Sequence, residues 1–174
     1  MWDLETHKIQ PGLLAPPIVC GAFAWRMTDG TIDHTLHTAE SQKEVIHSAL
    51  QGPDTITGAN IAYDFGCLVA RHPELLPLVW KAYEDGRVFD VLISATLDAI
   101  YGGRLTDGEL FDRKGKKISA GRYSLKSVRA DYVGGEDAKK NDRWRLSYAL
   151  LEDTPIDQWP EDARQYPIDD VTNT

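Results

Sequence analysis

Acidic side chains in three widely separated segments of this sequence have the chemistry to bind divalent metal ions. Asp3 and Glu5 lie in the first segment, Asp64 ends the second, and Asp170 follows Tyr166 by four residues in the third. Carboxylate oxygens are hard ligands that suit Mg²⁺ or Mn²⁺ better than zinc. Four carboxylates in one place can hold two such ions, an arrangement that hydrolyses phosphodiester bonds by in-line attack of water. Each segment alone is a weak signal, but their order and spacing together predict a two-metal site.

The spacing within the first two segments constrains the elements that must position these groups. On a strand, Asp3 and Glu5 have their side chains on one face, where they repel each other unless a cation lies between them. A strand predicted over Thr55–Ala62 places Asp64 at its C-terminal end, which is where open α/β proteins bind ligands. Asp3, Glu5 and Asp64 are therefore all predicted to lie where a ligand binds.

The third segment contains Pro167, and proline is well tolerated at the first position of a helix because its missing N–H would have no partner there. We therefore expect a short helix over Pro160–Gln165 and a new helix capped by Tyr166, with Asp170 near the end of its first turn. In that helix Tyr166 and Asp170 share a face. An alternative stays open for this segment by itself, because acids such as Asp169 and Asp170 are common at helix starts.

Hydrophobic periodicity predicts the remaining elements of an α/β sandwich, with a mixed β-sheet flanked by helices. A buried strand over Pro16–Trp25 and a partner strand over Thr31–His37 are expected to pair across a hairpin turn. Ser41 and Glu44 form a capping-box pattern at the start of a helix over Glu40–Leu50. Further along, the pattern predicts helices at 65–71, 74–84 and 124–132, a strand that continues as a helix at 89–101, and a hairpin arm at 105–121.

The composition indicates one compact domain with a sizeable core, since 42% of the 174 residues are hydrophobic. No apolar run approaches the length that crosses a bilayer, and no signal peptide precedes Asp3. Cys20 and Cys67 lie in apolar stretches without a pairing pattern, which indicates buried free thiols in a reducing compartment. We therefore expect a cytoplasmic protein.

The net charge of −8 at first argues against a nucleic-acid partner, but the charge is unevenly distributed. Residues 104–145 hold twelve Lys or Arg and seven Asp or Glu, a balance of +5 that leaves −13 on the remainder. This distribution is compatible with a basic rim beside an acidic, metal-dependent pocket. The alternative for residues 113–117 is a solvated hairpin tip with no binding role.

Taken together, the three segments resemble the DEDDy family of 3′–5′ exonucleases, and most closely the proofreading domains of bacterial and phage family A DNA polymerases. The matching residues are Asp3-Leu4-Glu5-Thr6, Asn60-x-x-Tyr63-Asp64, Ser124-Leu125-Lys126-Ser127 before a helix, and Tyr166-x-x-x-Asp170. A histidine in place of Tyr166 would mark the related DEDDh group. The resemblance covers nearly all of the chain and implies an RNase H-like fold. It also implies that residues 1–174 form a single exonuclease domain, part of or cut from a longer polymerase.

The resemblance implies a role for each matched residue. Asp3, Glu5 and Asp170 would bind the tighter of two Mg²⁺ or Mn²⁺ ions, and Asp3 would bridge to a second ion. Asp64 would hold that second ion through water, and Tyr166 would orient the attacking water. The pocket for the terminal nucleotide would be lined by Leu4, Thr6, Asn60 and Tyr63.

We therefore expect a metal-dependent enzyme that releases nucleoside monophosphates from the 3′ end of single-stranded DNA, with proofreading as its context. The expected partners are a DNA 3′ end and a covalently linked polymerase domain, with no membrane, in the cytoplasm of a bacterial or phage-infected cell. Two alternatives stay open: a catalytically weak exonuclease-like scaffold or binding module, and a related RNase that acts on short RNA. Because only two residues precede Asp3, we also expect a short, frayed first strand that weakens the metal site.

Overall fold

The computed structural model describes residues 1–118, 121–134 and 143–172, which form a mixed α/β fold, as the sequence predicts. At its centre is an antiparallel sheet of β1 (Trp2–Thr6), β2 (Ile18–Arg26) and β3 (Ile32–Thr38), with β2 in the middle. The first seven residues of β2 are buried because they form a nearly continuous apolar run. Both strands of the predicted hairpin are confirmed, with their ends shifted by one or two residues.

β1 is paired along its whole length, so the expectation of a frayed first strand is wrong. Its register with β2 places Asp3 opposite Ala22. The Met1 ammonium group donates a hydrogen bond of 2.8 Å to the Ala24 carbonyl, which extends the pairing to the first residue. The Trp2 side chain is 1% exposed and packs in the main core. Burial of this large side chain stabilises β1 by roughly 2–3 kcal/mol.

A second, parallel pair of strands lies beside β1. It consists of β4 (Ile56–Gly58) and β5 (Val88–Asp90). A Cβ atom added to Gly58 would lie 3.0 Å from the Trp2 carbonyl oxygen, so glycine is what lets the backbones of β4 and β1 approach so closely. The helices around these strands are α1 (Gln42–Gln51), α2 (Ile61–Arg71) and α3 (Leu76–Glu84).

The strand expected over Thr55–Ala62 is shorter than predicted, and Asp64 lies in the first turn of α2 instead of at a strand end. Asn60, just before the helix, takes the left-handed backbone conformation with φ 62° and ψ 40°. Asparagine is one of the few residues other than glycine that tolerate this conformation. The residues that α2 buries on one face include Ile61, Phe65 and Leu68. This helical spacing begins four residues earlier than predicted.

The next part of the chain forms a small unit with its own core. α4 (Val91–Tyr101) follows β5 directly, which confirms the predicted passage from strand to helix. The hairpin of β6 (Leu105–Thr106) and β7 (Glu109–Leu110) packs with α5 (Leu125–Tyr132) against α4. None of the helices in the described ranges is long and apolar enough to span a bilayer.

A capping box forms at α5, where the sequence analysis predicts none, and is absent at α1, where it predicts one. At α5, the side chains of Ser124 and Ser127 each accept from the backbone N–H of the other residue, which is a capping box. At α1, Ser41 makes no side-chain cap, so the predicted capping box with Glu44 is wrong. The Ser41 hydroxyl lies 3.1 Å from the Thr38 hydroxyl instead.

The last helix, α6 (Glu161–Thr172), is continuous, so the predicted helix boundary at Tyr166 is wrong. Pro167 lies in its interior, where a proline cannot donate the hydrogen bond to the carbonyl four residues earlier. That carbonyl belongs to Ala163, and the Tyr148 hydroxyl donates a hydrogen bond of 2.7 Å to it. A side chain from outside the helix thus replaces the N–H that Pro167 lacks.

Candidate metal centre

Alternation along β1 places two acids on the face of the sheet that carries α6. Trp2 and Leu4 pack in the main core on one face. Asp3 and Glu5 therefore lie on the other face, since successive side chains of a strand alternate. α6 packs against all three strands of the sheet. The predicted pairing of Asp3 with Glu5 on one face agrees with the observed strand.

Asp170, on α6, completes a group of three carboxylates. One oxygen atom from each of Asp3, Glu5 and Asp170 lies within 4.8 Å of the other two. Asp3 and Asp170 are partly exposed, so solvent ions can reach the group. The structure therefore brings together acids from the first strand and the last helix of the described chain, as the sequence predicts for a shared metal site.

The geometry of this group fits one divalent cation of the magnesium type. Magnesium binds oxygen at about 2.1 Å, so two oxygens on one ion are at most about 4.2 Å apart. Given the 4.8 Å limit that encloses the three carboxylate oxygens, small side-chain rotations suffice for all three to reach one ion. A donor set made of oxygens favours Mg²⁺ or Mn²⁺ over zinc.

Asp64, the fourth predicted ligand, lies near Asp3 but is not a member of the group of three. Its side chain is 3% exposed, and the Leu4 backbone amide partly offsets the cost of its charge. Burial, followed by the negative charge of Asp3, raises the pKa of the Asp64 carboxyl well above its usual value. An ionised Asp64 is therefore unfavourable here without a nearby cation, and a second ion between Asp3 and Asp64 would supply one.

Asp90 is a further acid beside this centre that sequence reasoning missed. One of its carboxylate oxygens accepts hydrogen bonds from the backbone N–H groups of Leu92 and Ile93, at 2.8 and 3.1 Å. The other oxygen accepts from the Ile61 N–H at 3.0 Å, so Asp90 joins the N-termini of α2 and α4. An aspartate directly before a helix is a typical N-cap signal. The prediction of a strand that runs straight into a helix over residues 89–101 leaves no N-cap position and therefore does not identify Asp90.

A cleft of about 420 Å³ lies next to the carboxylates and has Glu5 in its wall. This volume is within the range of small-molecule binding sites, which starts at roughly 300 Å³. The four residues predicted to contact a terminal nucleotide all line the cleft: Leu4, Thr6, Asn60 and Tyr63. They come from β1 and from the start of α2, so the close packing of these two elements forms the cleft.

Hydrogen bonds orient the polar side chains of the cleft. The Thr6 hydroxyl donates to the His7 carbonyl at 2.9 Å, which leaves its oxygen as the acceptor for the Tyr63 hydroxyl at 2.8 Å. Burial raises the pKa of Tyr63 to about 12. The Tyr63 phenol is therefore neutral at physiological pH and acts as a donor within the cleft wall.

Tyr166 and Asp170 lie one turn apart on α6, so the predicted pair shares a helix face although the helix begins earlier than expected. The Tyr166 side chain is 8% exposed, and its ring centroid lies 6.2 Å from that of Tyr148. Burial, followed by the negative charge of Glu5, raises the pKa of Tyr148. Sequence reasoning missed Tyr148, because no local pattern indicates which tyrosine will meet a carbonyl of a distant helix.

Comparison of the chain with protein-family models, with curated proteins and with solved structures found no match. The function proposed below therefore rests on the geometry of the carboxylates and of the adjoining cleft.

Proposed function

We propose that this chain is a metal-dependent 3′–5′ exonuclease that removes nucleoside monophosphates from the end of single-stranded DNA. The proposal includes two Mg²⁺ or Mn²⁺ ions as cofactors and an RNase H-like arrangement of the fold. It also includes a proofreading context, in which a linked polymerase domain delivers the DNA end in the cytoplasm of a bacterial or phage-infected cell.

The observation that carries the proposal is the meeting of Asp3, Glu5 and Asp170 within 4.8 Å beside the cleft. These acids come from opposite ends of the described chain, and their mutual repulsion opposes folding when no cation is present. A cluster of acids by itself is common on protein surfaces. The adjoining cleft, together with a fourth acid buried beside Asp3, is what favours catalysis on a bound ligand.

The residues divide into those that hold the ions and those that hold the substrate. When bound, the two ions would supply an activated water and stabilise the charge on the reacting phosphate. Asp3, Glu5 and Asp170 would hold one ion, and Asp3 and Asp64 would hold the second. Tyr166 would orient the water by a hydrogen bond, since a free phenol, with a pKa of about 10, is a poor base at neutral pH.

The cleft side chains position the terminal nucleotide. Leu4 and the Tyr63 ring offer apolar surface to the base, and Thr6 and Asn60 offer polar groups to the sugar. Contacts of this kind do not distinguish one base from another, so we expect little sequence preference.

The direct test is to incubate the protein with 3′-labelled single-stranded DNA, with Mg²⁺ or Mn²⁺, and to follow the release of labelled mononucleotides. A 5′-labelled strand in the same assay is expected to shorten into a ladder from its 3′ end. An RNA strand of the same sequence separates the DNA exonuclease from the RNase alternative. A proofreading context predicts faster cleavage at a mismatched 3′ terminus than at a paired one. If both labelled strands stay intact with either metal, the proposal is refuted.

Asp170 and its neighbour Asp169 provide a matched pair of variants. Asp170→Asn removes a carboxylate from the metal group, whereas Asp169→Asn changes an acid that accepts a hydrogen bond of 2.8 Å from Gln165 on the same helix. We expect Asp170→Asn to lower the cleavage rate by more than about 100-fold, since loss of even an outer-shell partner lowers activity by 10- to 100-fold. Asp169→Asn is expected to keep nearly all activity. Equal activity of the two variants would show that Asp170 is not a ligand.

A further inference from the structure

Two positively charged side chains in the cleft wall have no acidic partner among the residues that the structure describes. Lys8 follows β1, and Arg145 lies in the short 3₁₀ turn Trp144–Leu146. Neither side chain forms a hydrogen bond or ion pair with any residue in the described ranges. Several other cations of this acidic chain are paired, as Arg104 is with Asp98 and Asp131.

A contact of His7 links the segment that carries Lys8 to a 3₁₀ turn that follows Arg145 in the chain. His7 lies beside Lys8, and its Nε2 atom is 2.9 Å from a carboxylate oxygen of Glu152, which follows the 3₁₀ turn Tyr148–Leu151. Glu152 therefore pairs with His7, and it pairs with neither Lys8 nor Arg145. Within the described ranges, no acid pairs with Lys8 or Arg145, so their positive charges can interact with a ligand in the cleft.

Each cation is followed in the sequence by an exposed apolar side chain. Ile9 is 59% exposed and Leu146 is 60% exposed, and both line the same cleft. Each wall thus presents a cation next to an apolar surface. A single-stranded nucleic acid has the complementary pattern, because each nucleotide combines a phosphate with the apolar face of a base.

We propose that Lys8, Ile9, Arg145 and Leu146 form a second nucleotide subsite, which binds the phosphate and base of the nucleotide next to the 3′-terminal one. This inference rests on the proposed function and extends it to residues outside the acidic and tyrosine motifs. Lys8 and Arg145 neutralise the phosphate, which a chain of net charge −8 would otherwise repel. Ile9 and Leu146 cover the base and exclude water from the phosphate contacts.

The electrostatic part is tested by the salt dependence of oligonucleotide binding. Fluorescence anisotropy with labelled oligo-dT, with Ca²⁺ in place of Mg²⁺ to limit cleavage, gives the slope of log K against log salt concentration. Each phosphate contact to a single strand contributes about 0.7 to this slope. We expect Lys8→Ala and Arg145→Ala each to reduce the slope by about 0.7, and the double variant by about 1.4. Lys114→Ala/Lys116→Ala, on the exposed hairpin arm, removes the same charge outside the cleft and is expected to keep the wild-type slope.

The apolar part is tested with a second matched pair. Leu146→Ser is expected to weaken binding several-fold without changing the salt slope, since no phosphate contact is lost. Leu150→Ser changes a leucine that is 79% exposed in the same region and does not line the cleft, so binding is expected to be unchanged. Thermal unfolding of all variants verifies that they fold.

The possible results separate this inference from the proposed function. If the wild type cleaves DNA and the Lys8 and Arg145 variants keep its salt slope, the second subsite is refuted while the exonuclease proposal stands. If the hairpin-arm variant loses as much slope as the cleft variant, binding is a general surface effect and the subsite is again refuted. If the wild type neither binds nor cleaves oligonucleotides, both proposals fail.

Discussion

Replacement of Asp64 by asparagine should make the metal-free protein more stable, although it removes a proposed ligand. Asp64 is 3% exposed and lies near Asp3, and both conditions disfavour its charged form. Asparagine has nearly the same shape and keeps a side-chain oxygen that can act as an acceptor. The variant therefore removes the unfavourable charge and leaves the packing unchanged.

The size of the effect is taken from the usual gain in folding free energy when one stabilising substitution is made. Such changes stabilise proteins by about 0.5 to 2 kcal/mol. For a chain of this length, 1 kcal/mol shifts the Tm by about 2 to 4 °C. We expect the Tm of Asp64→Asn in EDTA at pH 7 to exceed that of the wild type by about 1 to 8 °C. Asp33→Asn, an exposed aspartate that accepts from the His34 N–H, is the control and should shift the Tm much less.

The pH dependence of this difference has a definite sign. Below the ordinary carboxyl pKa of about 3.9, Asp64 is protonated in the folded and unfolded states, and the two proteins are equally stable. As the pH rises, the unfolded chain releases this proton first, because the folded state raises the pKa of Asp64. The wild type therefore loses stability relative to Asp64→Asn as the pH increases toward neutrality.

Divalent cations should reverse the order of the two proteins. A ligand that binds only the folded state stabilises it by about 2.7 kcal/mol at a concentration 100-fold above its Kd. With Mg²⁺, the wild type should gain more stability than Asp64→Asn, which lacks a ligand for the second ion. Thermal unfolding in EDTA and in Mg²⁺, with nuclease activity measured in parallel, supplies the readout. If Asp64→Asn is no more stable than the wild type in EDTA, or if Mg²⁺ stabilises both equally, the reasoning about Asp64 is wrong.

Two further predictions concern the elements that position the site. Tyr148→Phe leaves the buried Ala163 carbonyl without its donor and should destabilise the protein by about 1–3 kcal/mol. Adding Pro167→Ala to that variant restores a backbone N–H four residues after Ala163, so denaturant unfolding should show recovered stability; no recovery would contradict the assigned role of Tyr148. Gly58→Ala places a Cβ atom 3.0 Å from the Trp2 carbonyl oxygen and should lower the free energy of unfolding by about 1–3 kcal/mol. An unchanged denaturation midpoint would contradict this prediction.

Local patterns predicted those parts of the structure whose causes are local. The strands β2 and β3 follow, to within one or two residues, from an apolar run and a turn. The placement of Asp3 and Glu5 on one face of β1 follows from alternation alone. These features need no information from distant residues, which is why the sequence was sufficient for them.

The features that were missed depend on contacts between distant parts of the chain. A proline near the middle of α6 predicts a helix boundary, and the helix continues through it with the support of the Tyr148 hydroxyl. The start of α2 was misplaced because Ile61 and its neighbours also fit a strand, and only their packing against the core decides between the two. The cations of the cleft were missed because their lack of partners is a property of the fold.

The contrast between Asp64 and Asp90 is the strongest argument that the acidic centre exists for function. Asp90 accepts three backbone hydrogen bonds from the N-termini of two helices, an arrangement that stabilises the charged carboxylate and contributes to the fold. Asp64, buried nearby, faces the negative charges of Asp3 and Asp90, and its pKa is raised as a result of burial and this repulsion. The fold would be more stable with a neutral residue at position 64, and this cost favours the proposal that the Asp64 carboxylate binds a cation.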